Sequence, residues 1–503
     1  MHGMLDAAGE EDPAWRRPTA SPSPVDARRL AANLVADVRS DGPELLFVDG
    51  VDIGPALEQQ LFFALRDGTA GQPGVLRGVV EQATATVRRL ATVAAALRPH
   101  RVPDSGDRPI VVLVRSPARA PILRLVGVEL ERLGGGPLAI VRVGAAARSG
   151  LPGFRSARLF DLLDARMATD LVRRHGGPSL TAATQPWEAR LGVESAAAMR
   201  LVAARELSRI ALGALGLRSV VRHWSPSLLV GFDEVGTWSR ILPAVARRGA
   251  IPSLNLPHAE AADPVAIAGA AYHRMAVYGA RAAAILRAAG IDAERIVETG
   301  AALFDPFIRT PGGGASSADP SGPRRVLFAA QYVQGAMTEA GLEACHVAAL
   351  AVAAVSTPSE LIVLPHPVEP PGLIAGIVAR HPVPPGVTLR VARPGTLREL
   401  LDDAWLMMTC WSNSVFEAAL RGVPTIMVDA FGVSPVTYAR EGLGIGVADA
   451  EGAAAAARAL LDPAVRAQTA ARARAVLPEH LGPLDGRASE RTARLILSLA
   501  GPA

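Results

Sequence analysis

The sequence contains no lysine, so all 52 of its basic residues are arginine. A Schiff base, a pyridoxal-phosphate anchor and a P-loop phosphate site each use a lysine amine, and their usual chemistry is excluded with it. Cysteine is almost absent. Cys345 and Cys410 lie far apart in the chain with no CxxC or Cys/His ligand spacing, which points away from a disulfide scaffold or a zinc site and fits a reducing cytosol. Aromatic residues make up only 4 %, too few for a protein that stacks the bases of single-stranded nucleic acid. The 52 basic and 48 acidic residues are scattered, leaving a net +4 without arginine blocks, so no nucleic-acid partner is expected. No stretch reaches the roughly 18 uninterrupted apolar residues of a spanning helix, and the N-terminal MHGMLDAAGEEDPAWRRPTASPSP lacks the apolar core of a signal peptide. A soluble, cytoplasmic protein is expected, with peripheral membrane association left open. No DxD element flanks a strand end, so no metal is expected.

What is present is apolar bulk. Half of the 503 residues are hydrophobic, mostly Ala, Val and Leu, enough for two or three buried cores. Residues 1–25 are polar and Pro/Ser-rich, a disordered leader. ELLFVDG at 44–50 has the pattern of a buried strand, followed by helical patterns through ALEQQLFFALRD and TVRRLATVAAAL. PIVVLVRS, LAIVRV, SLLVGF and IPSLNL are short continuous apolar runs alternating with helical segments, the pattern of a covered parallel sheet. TPGGGASSADPSGP at 310–323 is the clearest linker. Beyond it the alternation restarts with RRVLFAAQ, ELIVLP, VTLRVA, AWLMMT and PTIMVDA. The expected fold class is α/β: two Rossmann-like doubly wound domains facing a cleft, an N-terminal acceptor domain at 26–309 and a C-terminal donor-nucleotide domain at 324–503.

Three groups of residues carry chemistry. In WSNSVFEAALRGVPTIMV, Ser412, Asn413 and Ser414 fall where a strand ends and a helix begins, so helix N–H groups can receive a phosphate. Glu417 lies one turn further, placed to accept from ribose hydroxyls. The same residues also suit an ordinary N-cap and a solvated Glu. In LPHPVEP, His366 sits in a stiff turn after the strand ELIVL, able to donate to a donor phosphate, with Glu369 to orient it; Gln331, ending RRVLFAAQ, joins the same donor-binding set. His381 repeats the HisPro pair but follows a helix, which makes it a decoy. The third group, Asp233 and Glu234 in GFDEVGTW and His258 in LPHAE, follows strands of the first domain and holds the candidates for a general base; surface acids and a capped His are the plain alternative.

Taken in order, IPSLNLPHAE, MAVYGARAAAILRAAGIDAERIVETGAALFDPF, LPHPVE and TCWSNSVFEAALRGVP resemble the GT-B superfamily of glycosyltransferases over roughly residues 225–450. More narrowly they are similar to the branch of capsule-polysaccharide and surface-carbohydrate synthesis proteins, bacterial sialyl- and polysialyltransferases, and CDP-glycerol glycerophosphotransferases. The resemblance implies a His at position 258 in the first turn, an Asp at 305 in a Gly-x-Pro-x-x-Asp element, a phosphate-contacting His at 366 and a Ser-rich turn at 412 and 414. Pro257, Ala259, Ala302 and Leu364 depart from the usual residues around these positions.

The resemblance implies a nucleotide-sugar-dependent glycosyltransferase of surface polysaccharide or glycoconjugate biosynthesis. Its partners would be a nucleotide-sugar donor, taken as substrate with no cofactor, and a glycan or small-molecule acceptor hydroxyl. The alternatives are a CDP-alcohol phosphotransferase of the same architecture, a catalytically degenerate nucleotide- or glycan-binding scaffold, and a nucleotide-sugar 2-epimerase.

Overall fold

The computed structural model describes residues 23–66, 108–136, 138–143, 151, 154, 156–163, 178–260, 263–310, 322–331, 337–366, 369, 372–393, 396–430, 432, 434 and 436–501. Most of the expected leader and linker, and the helix expected in TVRRLATVAAAL, lie outside these residues. Ser23 caps the first described helix, Pro24–Asp41, by accepting from the Asp26 N–H.

ELLFVDG does not become a strand of a large sheet. Asp49 and Gly50 both take positive φ, 50° and 75°, and turn the chain into a short antiparallel hairpin of β1 (Phe47–Val48) and β2 (Val51–Asp52). An Asp-Gly pair is the residue choice that a two-residue hairpin turn needs, and it overrides the apolar run.

The apolar runs after it form two parallel sheets. The first comprises β3 (Ile110–Val114), β4 (Leu138–Arg142), β5 (Ser156–Arg158), β6 (Leu228–Gly231), β7 (Ser253–Asn255), β8 (Arg274–Val277) and β9 (Ile296–Glu298), in the order β5-β4-β3-β6-β7-β8-β9. The second comprises β10 (Arg324–Ala329), β11 (Ser359–Leu364), β12 (Val387–Val391), β13 (Leu406–Thr409), β14 (Thr425–Val428) and β15 (Ile445–Val447), in the order β12-β11-β10-β13-β14-β15. Counted within itself, that is 3-2-1-4-5-6, the strand order of dinucleotide-binding sheets, and every pair is parallel. Alternate side chains go to opposite faces: Leu327, Ile362 and Met407 enter one core cluster, Phe328, Val363 and Met408 the other. Burial on both faces is why these strands read as unbroken apolar runs.

The chain divides into two compact units. The first is Met1–Arg115, Ala139–Ser253 and Gly269–Tyr272; the second is Ser116–Leu138, Leu254–Ala268 and His273–Ala503. The second unit ends in the helices Ala450–Ala459, Pro463–Leu481 and Ala488–Ala500. No described helix is long and apolar enough to cross a membrane.

Candidate functional site

The strand order of the second sheet reverses between β10 and β13, and such a switch point opens a crevice beyond the carboxyl ends of the strands. The register places Ala329 opposite both Leu364 and Thr409, so β10, β11 and β13 end level with one another. Gln331, His366 and the turn Trp411–Ser412–Asn413 therefore follow at the same edge. Two of the three groups expected from sequence are thus collected by topology.

The turn itself departs from expectation. The helix it starts, Ser414–Leu420, is short, and its first N–H groups are consumed locally. The Ser414 N–H donates to Ser412 Oγ (3.2 Å), the Val415 N–H to the Ser412 carbonyl (3.2 Å) and the Phe416 N–H to the Asn413 carbonyl (3.0 Å). Ser412 thus does the work of an ordinary cap, and a phosphate would not meet open backbone donors from these three residues. What remains is side chain. Asn413 makes no capping bond; its Oδ1 instead accepts from the Tyr438 hydroxyl at 3.1 Å. Ser414 is 7 % exposed and its Oγ has no partner among the described residues.

Gln331 Oε1 and both oxygens of Glu369 share that condition: each is buried without a hydrogen-bond partner among the described residues. Buried polar atoms are normally paired, so three side chains with orphaned atoms after the strands of one sheet edge mark a candidate site. Electrostatics follow from the same burial. Desolvation pushes the Glu369 carboxyl up and the His366 imidazole down, favouring the neutral form of each. Glu417, partly buried, is pushed up to about 7 by desolvation, against which Arg398 pulls weakly. Behind the turn, Cys410 follows β13 and its Sγ lies 3.2 Å from that of Cys345; both are buried free thiols, so two residues remote in sequence are neighbours in space.

The candidates for a base are divided between the two units. Asp233 and Glu234, both 8 % exposed, stand in the first unit after β6. Extending the β3–β6 register sets Asp233 beside Arg115, and the two form an ion pair at 2.6 Å. The other Asp233 oxygen accepts from the Gly236 N–H at 2.9 Å. Both oxygens are thereby committed to holding the loop, and a Cβ at Gly236 would run into this carboxylate. Tyr272 ties in from behind, donating to the Asp233 carbonyl. His258 belongs to the second unit and is partly buried.

Asp305, the position the resemblance pointed to, and His381, expected to be a decoy, both serve as scaffolding. Asp305, fully buried, accepts from the Ala488 and Ser489 N–H groups (3.0 and 2.7 Å) and from the Ser489 hydroxyl, closing the start of the helix Ala488–Ala500. His381 ends the helix Leu373–Arg380, its Nε2 2.7 Å from Glu343.

A further cluster in the second unit had no local signature. The Glu260 side chain is 0 % exposed and pairs with His480 Nδ1 at 3.0 Å and Arg281 at 3.1 Å, while Arg281 also reaches Glu441 at 2.7 Å. Glu260 ends the LPHAE segment, and the other members come from remote helices and loops. Among the described residues no group of His, Cys, Asp or Glu is arranged to hold a metal ion.

No protein-family model and no curated protein sequence matches the chain. Solved structures do. UDP-GlcNAc 2-epimerase from Neisseria meningitidis, bound to UDP-GlcNAc, aligns with a TM-score of 0.48 at 11 % identity, covering 78 % of this chain and 100 % of that one. The lipopolysaccharide outer core galactosyltransferase WaaB aligns at 0.46 and 9 % identity, covering 78 % and 99 %. MurG of Acinetobacter baumannii aligns at 0.46 and 13 % identity, again covering 78 % and 99 %.

Proposed function

We propose that the chain is a nucleotide-sugar-dependent glycosyltransferase of GT-B architecture, whose second unit holds the donor at the β10–β13 switch point. One observation carries this: the orphaned polar atoms of Gln331, Glu369 and Ser414 gather at the carboxyl edge of a 3-2-1-4-5-6 sheet. In this scheme Asn413 and Ser414 take the donor phosphates, Glu417 accepts from the ribose hydroxyls, and His366 donates to the leaving phosphate as negative charge develops on it. Ser412 shapes the turn. Glu234 and His258 are the groups proposed to accept the acceptor-hydroxyl proton; Asp233, bound at both oxygens, supports the loop that carries Glu234.

The test is a thermal-shift screen of CMP, CDP, UDP, GDP and TDP against wild type and Ser414→Ala, because a ligand that binds only the folded state raises its stability, by about 2.7 kcal/mol at a hundred times Kd. One nucleotide should stabilise the wild type and do so less in the variant. The matching sugar nucleotide, incubated with and without hydroxyl acceptors, then separates transfer from epimerisation by its products. Stabilisation by none of the five would overturn the proposal.

A further inference from the structure

We infer that Tyr438 is a positioning residue of the donor site, fixing the Asn413 carboxamide in the turn after β13 and held in turn by Arg281 and the buried Glu260 and His480. The inference rests on the donor-site proposal above and names the residues that give that site its shape.

The argument starts from the consumed N–H groups. With the first backbone donors of the helix Ser414–Leu420 bonded locally, recognition at this turn falls to the Asn413 and Ser414 side chains. An Asn before a helix usually turns its oxygen onto the helix's own N–H groups. Asn413 does not: its Oδ1 faces the Tyr438 hydroxyl at 3.1 Å, a hydroxyl that also lies beside the Glu260 carboxylate. The two Nδ2 N–H donors are then directed away from Tyr438. The unpartnered Ser414 Oγ, on the adjacent residue, supplies an independent sign that this turn meets a ligand.

Tyr438 has little freedom to move. It is 1 % exposed, and its ring packs edge-on against Phe416 at 5.1 Å and His480 at 5.7 Å, with the Arg281 guanidinium 5.4 Å from its centroid. Burial and the nearby Glu260 carboxylate push its phenol well above the usual range, so it stays a proton donor at every working pH. His480, also 1 % exposed, anchors the other side of Glu260. It is delivered by the helix Pro463–Leu481, whose end approaches Gly279 so closely that a Cβ there would stand 2.6 Å from the Glu479 carbonyl. The C-terminal segment thereby acts on the turn through two intermediates, without itself touching a ligand.

The experiment compares wild type, Tyr438→Phe, Asn413→Ala and the double variant. Phe keeps the ring packing and removes only the hydroxyl. CMP, CDP, UDP, GDP and TDP are titrated calorimetrically into each protein. For the nucleotide that binds wild type, Tyr438→Phe should weaken binding about fivefold, the worth of one modest hydrogen bond, and the double variant should be no weaker than Asn413→Ala alone. The Asn413 side-chain amide resonances, seen in asparagine-labelled protein, should shift and broaden in Tyr438→Phe even without nucleotide. Glu260→Gln, which keeps the shape but loses the charge, should reproduce part of both effects. Unchanged amide resonances, or equal affinity in wild type and Tyr438→Phe, would overturn the inference and leave the donor site standing. Failure of every nucleotide to bind wild type would overturn both.

Discussion

Glu417 should make nucleotide-sugar binding depend on pH in a way that few other groups could imitate. Its carboxyl is pushed up to about 7 because the helix Ser414–Leu420 carries it into partly desolvated surroundings with only Arg398 to favour the charge. An acid whose folded pKa lies above its ordinary 4.5 costs the unliganded fold stability as pH rises from 4.5 through about 7. A ribose diol changes the balance, since two hydroxyl donors are best received by the ionised carboxylate. Binding then selects the ionised fraction, which is about one in eleven at pH 6 and about ten in eleven at pH 8, so the apparent affinity should rise about tenfold, or ~1.4 kcal/mol, between them. At pH 7 about half a proton should leave per ligand bound. Calorimetry in two buffers of different ionisation heat measures both quantities. An intact sugar nucleotide is the right ligand, because its esterified pyrophosphate does not titrate in this range. Glu417→Gln should bind with an affinity independent of pH. Equal wild-type affinity at pH 6 and 8, with no proton released, would refute the assignment of Glu417 to the ribose.

Asp305→Ala should remove three hydrogen bonds from the start of the helix Ala488–Ala500, at a cost of about 2–4 kcal/mol; hydrogen exchange of that helix should quicken at least about thirtyfold. His346 is buried against Phe328 and His381, both ring nitrogens lack partners among the described residues, and desolvation pushes its pKa down to about 4. The unfolded chain therefore takes up the proton first, and stability present above pH 6.5 should fall by up to about 3 kcal/mol as pH drops toward 4. The acid dependence of exchange in the helix Glu339–Val355 should be flatter in His346→Phe than in wild type. Gly236→Ala should drive a methyl group into the Asp233 carboxylate and part it from Arg115, costing about 1–3 kcal/mol in urea titrations followed by exchange of the residues after β6.

Much of the architecture is written locally. Strands buried on both faces must be apolar throughout, so ELIVL, AWLMMT and PTIMV announce a covered parallel sheet without any knowledge of their neighbours. The composition also decided which chemistry was missing, since a chain without lysine has no side-chain amine for a Schiff base. The position of Ser412, Asn413, Ser414 and Glu417 after a strand, and of His366 after another, was equally legible. ELLFVDG misled because its Asp-Gly pair, favourable for a hairpin, outweighed its apolar pattern.

Strand order was not legible, because hydrophobic periodicity says that a strand is buried and nothing about which strand lies beside it. Only the tertiary structure set β10 next to β13 and so brought Gln331, His366 and the 412–414 turn to one edge. Only it showed that Ser412 spends its oxygen on the Ser414 N–H, that Asp305 serves a helix far along the chain, and that Cys345 and Cys410 touch. The pairing of Glu260 with His480 is the extreme case. A charge in water needs no particular partner, whereas a charge carried into a dry core must find one wherever the fold has placed it, and sequence distance has no bearing on that requirement.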